Sequence, residues 1–157
     1  MDRIMSGALT IRQLQYGALV LLCLFFALTT ACNVEQKRSG LPPEAQAAID
    51  SFTGDLARGS YDKINAEAAD EWRQTATAFE SRANLERIRT SLGDVRSRAQ
   101  VGAQERERAG GALAGHTLVV NYNTEFERAH AIETFTLVER EGRWLLARYA
   151  VNSNALK

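Results

Sequence analysis

The stretch AIETFTLVEREGRWLLARYAV, residues 131–151, predicts two β-strands joined by a tight turn. Glu141-Gly142 supplies a turn of the hairpin type between two segments of alternating side chains. Both faces of the first segment carry apolar residues, which is typical of a central strand. Those faces are Ile132, Thr134, Thr136 and Val138 on one side, and Ala131, Glu133, Phe135 and Leu137 on the other. In the second segment Leu145, Ala147, Tyr149 and Val151 alternate with Trp144 and Leu146.

Two further strands are predicted upstream of this hairpin. HTLVVNYNTEF (116–126) has its apolar side chains at every second position, as a half-buried strand requires. The polar residues 95–109 make a poor central strand but an acceptable edge, with Glu105 and Glu107 on one face and Arg106 and Arg108 on the other. GGALAG (110–115) predicts the turn between them.

Three helices are predicted before the sheet. Apolar residues at helical spacing indicate a helix over residues 43–58, with Pro43 in its first turn and Gly59 at its end. Ser60 is the expected N-cap of a second helix that runs to Trp72. Thr77 has the capping-box spacing to Glu80 and begins a third helix, which ends at Gly93. The order predicts an α+β fold, three helices on one face of a curved antiparallel sheet of about four strands.

The first 31 residues predict export. An apolar run (16–31) follows basic residues and ends in small residues, as in a secretory signal. Cys32 comes next and resembles the bacterial lipobox, in which a cysteine is lipidated and becomes the N-terminus. Three alternatives stay open: a lipidated Cys32, an uncleaved membrane anchor, or ordinary secretion. The predicted organisation is a signal or anchor (1–31), a tether (32–43) and one domain (44–157), membrane-anchored on the extracytoplasmic, periplasmic side.

Charge and composition exclude one class of partner. The chain has 19 basic and 19 acidic residues, interspersed, and a formal net charge of zero. Nucleic-acid binding needs a concentrated basic face, so no nucleic-acid partner is expected. After Cys32 there is no further cysteine, so the predicted domain has no internal disulfide and depends on its core.

Four blocks of the sequence resemble a known family. They are SLGDVRSR (91–98), HTLVVNYNTEF (116–126), AIETFTLV (131–138) and GRWLLARYAV (142–151). Together they resemble the bacterial family of exported proteins and lipoproteins catalogued as domain of unknown function number four thousand and nineteen. That family is similar to the nuclear-transport-factor-two-like, or cystatin-like, cone fold, which implies a curved sheet around a pocket. The resemblance implies no reaction, cofactor or catalytic residue.

A cone-like pocket would take its lining from Glu133 and four aromatic residues, Tyr122, Tyr149, Trp144 and Trp72. A carboxylate buried there would have a raised pKa and act as a general base. The interpretation that we favour instead is that Glu133 faces solvent or pairs with an arginine, such as Arg148 on the neighbouring strand, and that the aromatic residues form core. His116 and His130 show no short ligand spacing, so no metal site is predicted.

Two functions compete at this point. The favoured one is a non-enzymatic accessory or binding module, anchored to the membrane by a lipid or N-terminal helix, with a protein partner or a second copy of itself. A variant of it is a fixed subunit of a larger membrane protein complex. The alternative, a small-molecule carrier or enzyme, requires an enclosed pocket of a few hundred Å³ lined by Tyr, Trp and an unpaired acid. That alternative fails if the sheet's concave face is filled by Phe52, Leu56, Leu85 and Ile88.

Overall fold

Four helices precede four strands in residues 40–157, the part of the chain that the computed structural model describes. The helices are α1 (Pro43–Arg58), α2 (Tyr61–Glu67), α3 (Asp70–Thr75) and α4 (Ala78–Leu92). The strands are β1 (Val95–Arg108), β2 (Gly115–Phe126), β3 (His130–Arg140) and β4 (Arg143–Asn152), followed by a 3₁₀ turn (Asn154–Leu156). The α+β class is therefore confirmed. The predicted signal or anchor (1–31), Cys32 and the tether up to residue 39 lie outside the described residues.

The predicted ends of α1 and α4 are confirmed. Pro43 occupies the first turn of α1, and Gly59 ends the helix in the left-handed conformation, with φ of 70°. At the start of α4, the Glu80 backbone N–H donates to the Thr77 hydroxyl at 3.2 Å. The Thr77 backbone N–H in turn donates to the Glu80 carboxylate at 2.9 Å. This capping box satisfies donors that a helix start leaves without partners.

The prediction of one helix from Ser60 to Trp72 was wrong. Ala68 and Ala69 have extended backbone, with ψ of 160° and 162°, and divide this segment into α2 and α3. The Ala69 N–H donates to the Leu146 carbonyl at 2.9 Å, so it bonds β4 instead of continuing a helix. The described chain therefore has four helices where three were predicted.

The sheet is an antiparallel meander in the order β1-β2-β3-β4. As predicted, β1 is an edge strand and β3 lies between two neighbours. Glu141 and Gly142 form the β3–β4 turn with φ of 53° and 74°. Two central residues with positive φ suit the right-handed twist of a two-residue hairpin.

The alternation predicted for β4 breaks at Ala147. Leu137 pairs with Leu146 but Thr136 pairs with Arg148, so Ala147 is an extra residue in β4. Because paired residues share a face, this bulge places Leu146 and Tyr149 on the same side of the sheet. The predicted face that joined Leu145, Ala147, Tyr149 and Val151 is therefore wrong.

The helices cover one sheet face and fill the space above it. The main core combines helical and strand residues: Ala45, Ile49, Phe52, Leu56, Tyr61, Ile64, Ala68, Trp72, Leu85, Leu118, Val120, Tyr122, Phe135, Leu137 and Leu146. Phe52 is central, with its ring centroid 4.7 Å from Tyr149, 5.9 Å from Phe135 and 6.3 Å from Trp72. A second cluster joins Ile88 and Leu92 to Phe126 and Ala131. Among residues 40–157, no helix has the length and hydropathy to cross a membrane.

Candidate functional site

Glu133 is a charged residue in the interior of this domain. It lies on β3, paired with Tyr122 of β2 and Val151 of β4, and its exposed fraction is 0%. Three side chains donate hydrogen bonds to its carboxylate. Arg98 Nε is 2.6 Å from Oε2 and Nη2 is 3.1 Å from Oε1, the Tyr149 hydroxyl is 2.6 Å from Oε1, and the Thr124 hydroxyl bonds Oε2. Both carboxylate oxygens therefore have protein donors.

Arg98 comes from β1, two strands away from Glu133. It pairs with Thr124 in the β1–β2 register, and so lies on the helix-covered face of the sheet. Its guanidinium carbon is 5.7 Å from the ring centroids of both Tyr122 and Phe135. The aromatic faces and the carboxylate offset the loss of water around the cation, whose side chain is 18% exposed.

Of the favoured interpretation of Glu133, the pairing with an arginine is confirmed, but the solvent exposure and the example Arg148 are wrong. The side chain does not face solvent, and its cation is Arg98, not Arg148. The cause is the bulge at Ala147, which pairs Arg148 with Thr136 and turns it to the sheet face opposite that of Glu133. Arg148 is exposed there.

Two tyrosines border this cluster. Burial, together with the charge of Glu133 and its hydrogen bond, raises the pKa of the Tyr149 hydroxyl far above its ordinary value, so Tyr149 remains a neutral donor. Burial also raises the pKa of Tyr122, whose hydroxyl donates to Gln46 Oε1 of α1 at 3.2 Å. Neither hydroxyl ionises near neutral pH, and each is tied to a protein acceptor.

An open groove of about 730 Å³ lies beside α1, α2 and the start of β4. Its apolar lining includes Phe52, Ile64, Trp144, Leu145 and Leu146. Its α1 side carries small residues: Ala47, Ala48 and Ser51. Charged residues line it as well: Glu44, Asp55, Glu67, Arg73 and Arg143.

Asp55 is the buried charge of the groove wall, with an exposed fraction of 1%. Lys63 Nζ is 2.9 Å from its Oδ2, and Arg58 Nη2 is 2.6 Å from its Oδ1. The hydrogen bond from Lys63 and the two positive charges outweigh burial and hold the pKa of Asp55 below its ordinary value. The same pairing raises the pKa of Lys63. Asp55 is therefore a paired anion.

The structure distributes the five candidate pocket residues over three places. Glu133, Tyr149 and Tyr122 meet at the Arg98 cluster, and Trp72 packs in the main core near Phe52. Trp144 packs against the edge of the same core and lines the groove. Glu133 does not line that groove.

Sequence reasoning missed Arg98 and Asp55. Asp55 had a visible signal, because it falls on the apolar side of α1 between Phe52 and Leu56. Arg98 gave no such signal in the sequence, because it stands among the polar residues of an edge strand. The bulge between Gln100 and Gly102 also changes which residues of β1 lie on the same sheet face as Arg98.

The two histidines occupy different surroundings. His116 Nδ1 is 2.7 Å from Glu139 and Nε2 is 2.5 Å from Glu105, whereas His130 is exposed at the start of β3. Within residues 40–157, no group of three His, Cys, Asp or Glu side chains is placed to hold a metal ion.

Comparison with known proteins gives a family assignment. No curated protein matches the chain detectably. The model of one family, described as "Protein of unknown function (DUF4019)", matches residues 49–149. This match takes in α1 from Ile49, the remaining helices, the first three strands and β4 as far as Tyr149. The chain therefore belongs to the DUF4019 family.

Proposed function

We propose that this protein is a non-enzymatic binding module that holds a short apolar segment of a protein partner in the groove beside α1. The observation that carries this proposal is the make-up of the groove, whose lining combines apolar side chains, including Phe52 and Trp144, with charged residues. An apolar centre with a polar rim is the usual anatomy of a protein–protein contact. Trp144 is half-buried, so its indole keeps exposed surface for a partner.

The α1 side of the groove adds room for such a segment. Ala47 and Ser51 are exposed and lie one helical turn apart, and Ala48 is half-buried beside them. Small side chains allow a partner's backbone to approach the helix closely. The exposed charged residues of the groove, Glu44 and Arg143 among them, offer both signs of charge for the polar flanks of the segment.

The packed interior favours binding over catalysis. The enzymatic alternative predicts an enclosed pocket lined by an unpaired acid. Glu133 instead accepts hydrogen bonds from Arg98, Thr124 and Tyr149. Phe52 fills the space above it by packing on Tyr149 and Phe135. A sheet with helices packed on one face also fits the cone-like architecture that the family resemblance implies, with the interior occupied by side chains.

A site-specific cross-linking experiment tests the groove. A photoreactive phenylalanine analogue replaces Ala47 in the full chain, and adducts formed in the native cells are identified by mass spectrometry. The matched control places the same analogue at Ala83, an exposed alanine of α4 outside the groove. We expect one defined protein adduct from position 47 and none from position 83. Equal adducts at both positions, or none at 47, contradict the proposal.

A blocking variant completes this test. Ala47→Arg fills the groove from the α1 side, and Ala83→Arg adds the same side chain elsewhere. With the analogue at Ser51, we expect Ala47→Arg to abolish the adduct and Ala83→Arg to leave it. A cross-link to a second copy of the chain would identify a homodimer as the occupant, and the hypothesis of a different partner protein would be wrong.

The module's attachment is a separate part of the proposal. We place it on the extracytoplasmic side of a bacterial membrane, held by a lipid on Cys32, because that cysteine follows a signal-like segment. Intact-mass analysis of the membrane-bound protein tests this. Loss of residues 1–31 with a diacylglyceryl mass on Cys32 is the expected result, and an unprocessed mass would indicate an N-terminal anchor instead. A cleaved Cys32→Ser protein that stays in the membrane would contradict the lipid attachment.

A further inference from the structure

A second charged cluster lies at the other end of the helix-covered sheet face. His116 of β2 stands between two carboxylates, with Nδ1 2.7 Å from Glu139 Oε2 of β3 and Nε2 2.5 Å from Glu105 Oε1 of β1. A neutral imidazole has one N–H and can donate to only one of these carboxylates, whereas an imidazolium donates to both. With a carboxylate at each ring nitrogen, only the protonated ring can donate a hydrogen bond to both.

We propose that Glu105, His116 and Glu139 form a proton-dependent clasp that joins β1 to β3 across β2 and fixes the position of Trp144. Glu139 pairs with Trp144 in the β3–β4 register, and the His116 and Trp144 ring centroids are 4.9 Å apart. Loss of the ring proton leaves one ring nitrogen lone pair facing a carboxylate. That contact then opens, and the indole loses a fixed neighbour.

The surrounding charges agree with a protonated ring. Glu107 pairs with His116 in the β1–β2 register and adds a third carboxylate on that side. The residue after Glu139 on β3 is a cation, Arg140, but its guanidinium is bonded to Glu71 of α3. The two carboxylates bonded to His116 lie at opposite ring nitrogens, so they cannot chelate one metal ion together with the ring.

The direction of the pH effect follows from the ring's environment. Partial burial opposes the charged form, but the hydrogen bond to Glu139 and the charge of Glu105 outweigh it and raise the pKa of His116. A pKa that is higher in the folded state means that the proton stabilises folding. That contribution is complete below the ordinary histidine value of about 6.5 and is lost as the pH rises through the raised pKa.

Nuclear magnetic resonance of the full chain in detergent tests the clasp. The chain has two histidines, so His130→Gln leaves His116 as the single titrating ring. In that background we expect Glu105→Gln and Glu139→Gln each to lower the His116 midpoint by about one pH unit or more. Glu125→Gln is the control. This exposed glutamate lies on β2, the strand of His116, but pairs with His130 at the other end of the strand. It should leave the midpoint unchanged.

The indole N–H resonance of Trp144 gives a second measurement. This resonance is assigned as the one that is absent from the Trp144→Phe variant. It should shift with the same midpoint as His116, and that shift should vanish in His116→Gln. The clasp is wrong if neither glutamine variant moves the His116 midpoint, or if the indole resonance does not change across it. Glu139→Asp replaces Glu139→Gln if the amide prevents folding. The shorter carboxylate should also lower the midpoint.

Discussion

Arg98 and Glu133 lie on strands that are not neighbours, yet their side chains meet across β2. Nε of Arg98 is 2.6 Å from Oε2 of Glu133, and Nη2 is 3.1 Å from Oε1. The ion pair joins the edge strand β1 to the central strand β3 on the buried sheet face. Because Glu133 has no exposed surface, its charge depends on the donors that the fold supplies.

Removal of Arg98 should be strongly destabilising. Arg98→Ala leaves the buried Glu133 carboxylate without its cation, and we expect a loss of about 3–5 kcal/mol in the free energy of unfolding, measured by denaturant titration. Arg96→Ala, an exposed arginine on the same strand, should change it by less than about 0.5 kcal/mol. The double variant Arg98→Met/Glu133→Leu should recover much of the loss, since it leaves no unpaired charge. A small effect of Arg98→Ala would contradict the importance of this pair.

The Tyr149 hydroxyl should contribute more than that of Tyr122. Tyr149 donates to a buried carboxylate at 2.6 Å, whereas Tyr122 donates to a neutral amide at 3.2 Å. We expect Tyr149→Phe to reduce the free energy of unfolding by about 1.5–3 kcal/mol and Tyr122→Phe by about 0.5–1.5 kcal/mol. Thermal or denaturant unfolding of the two variants gives the comparison. The reverse order would show that the charge of Glu133 is compensated in another way.

Asp55 should make stability depend on acid. Its pKa is lowered in the folded state, chiefly by Lys63, so the ionised form stabilises folding. That contribution is complete above the ordinary aspartate value of about 3.9 and is lost as the pH falls through the lowered pKa. Asp55→Asn should therefore be most destabilising near neutral pH, and its difference from the native chain should shrink below about pH 4.

A matched variant separates this effect from general loss of charge. Asp62 pairs with Arg82 at 3.4 Å on the surface, where both side chains are largely exposed. Asp62→Asn should cost less than about 1 kcal/mol at every pH, since exposed ion pairs contribute little. Denaturant titrations between acid and neutral pH measure both variants. A cost of Asp55→Asn that does not vary with pH would contradict the role of its charge.

Regular local patterns in the sequence predicted much of this fold. The capping box at Thr77, the turn at Glu141-Gly142 and the edge position of β1 depend on neighbouring residues, and the structure confirms all three. The division of the second helix could not be predicted in this way. Ala68 and Ala69 favour helix, but the Ala69 N–H bonds Leu146, which lies far away in the sequence.

The candidate site shows the same limit. Glu133 was identified from its place in an apolar strand, but its cation was sought on the adjacent strand. A one-residue bulge at Ala147 turns Arg148 away, and periodicity with a strict repeat of two does not reveal where a bulge occurs. Arg98 reaches the carboxylate from two strands away, a distance that only the assembled sheet defines.

Trp144 is the residue through which the proposed binding function is most directly tested. It lines the groove and is half-buried, so Trp144→Ala removes apolar contact surface that a bound segment would cover. We expect the partner cross-link from position 47 to fall at least tenfold, which corresponds to about 1.4 kcal/mol of binding free energy. Phe79→Ala removes an aromatic residue that is 81% exposed on α4 and should leave the cross-link unchanged. Circular dichroism of both variants checks that the fold persists. A cross-link that survives Trp144→Ala in a folded protein would contradict the groove as the binding site.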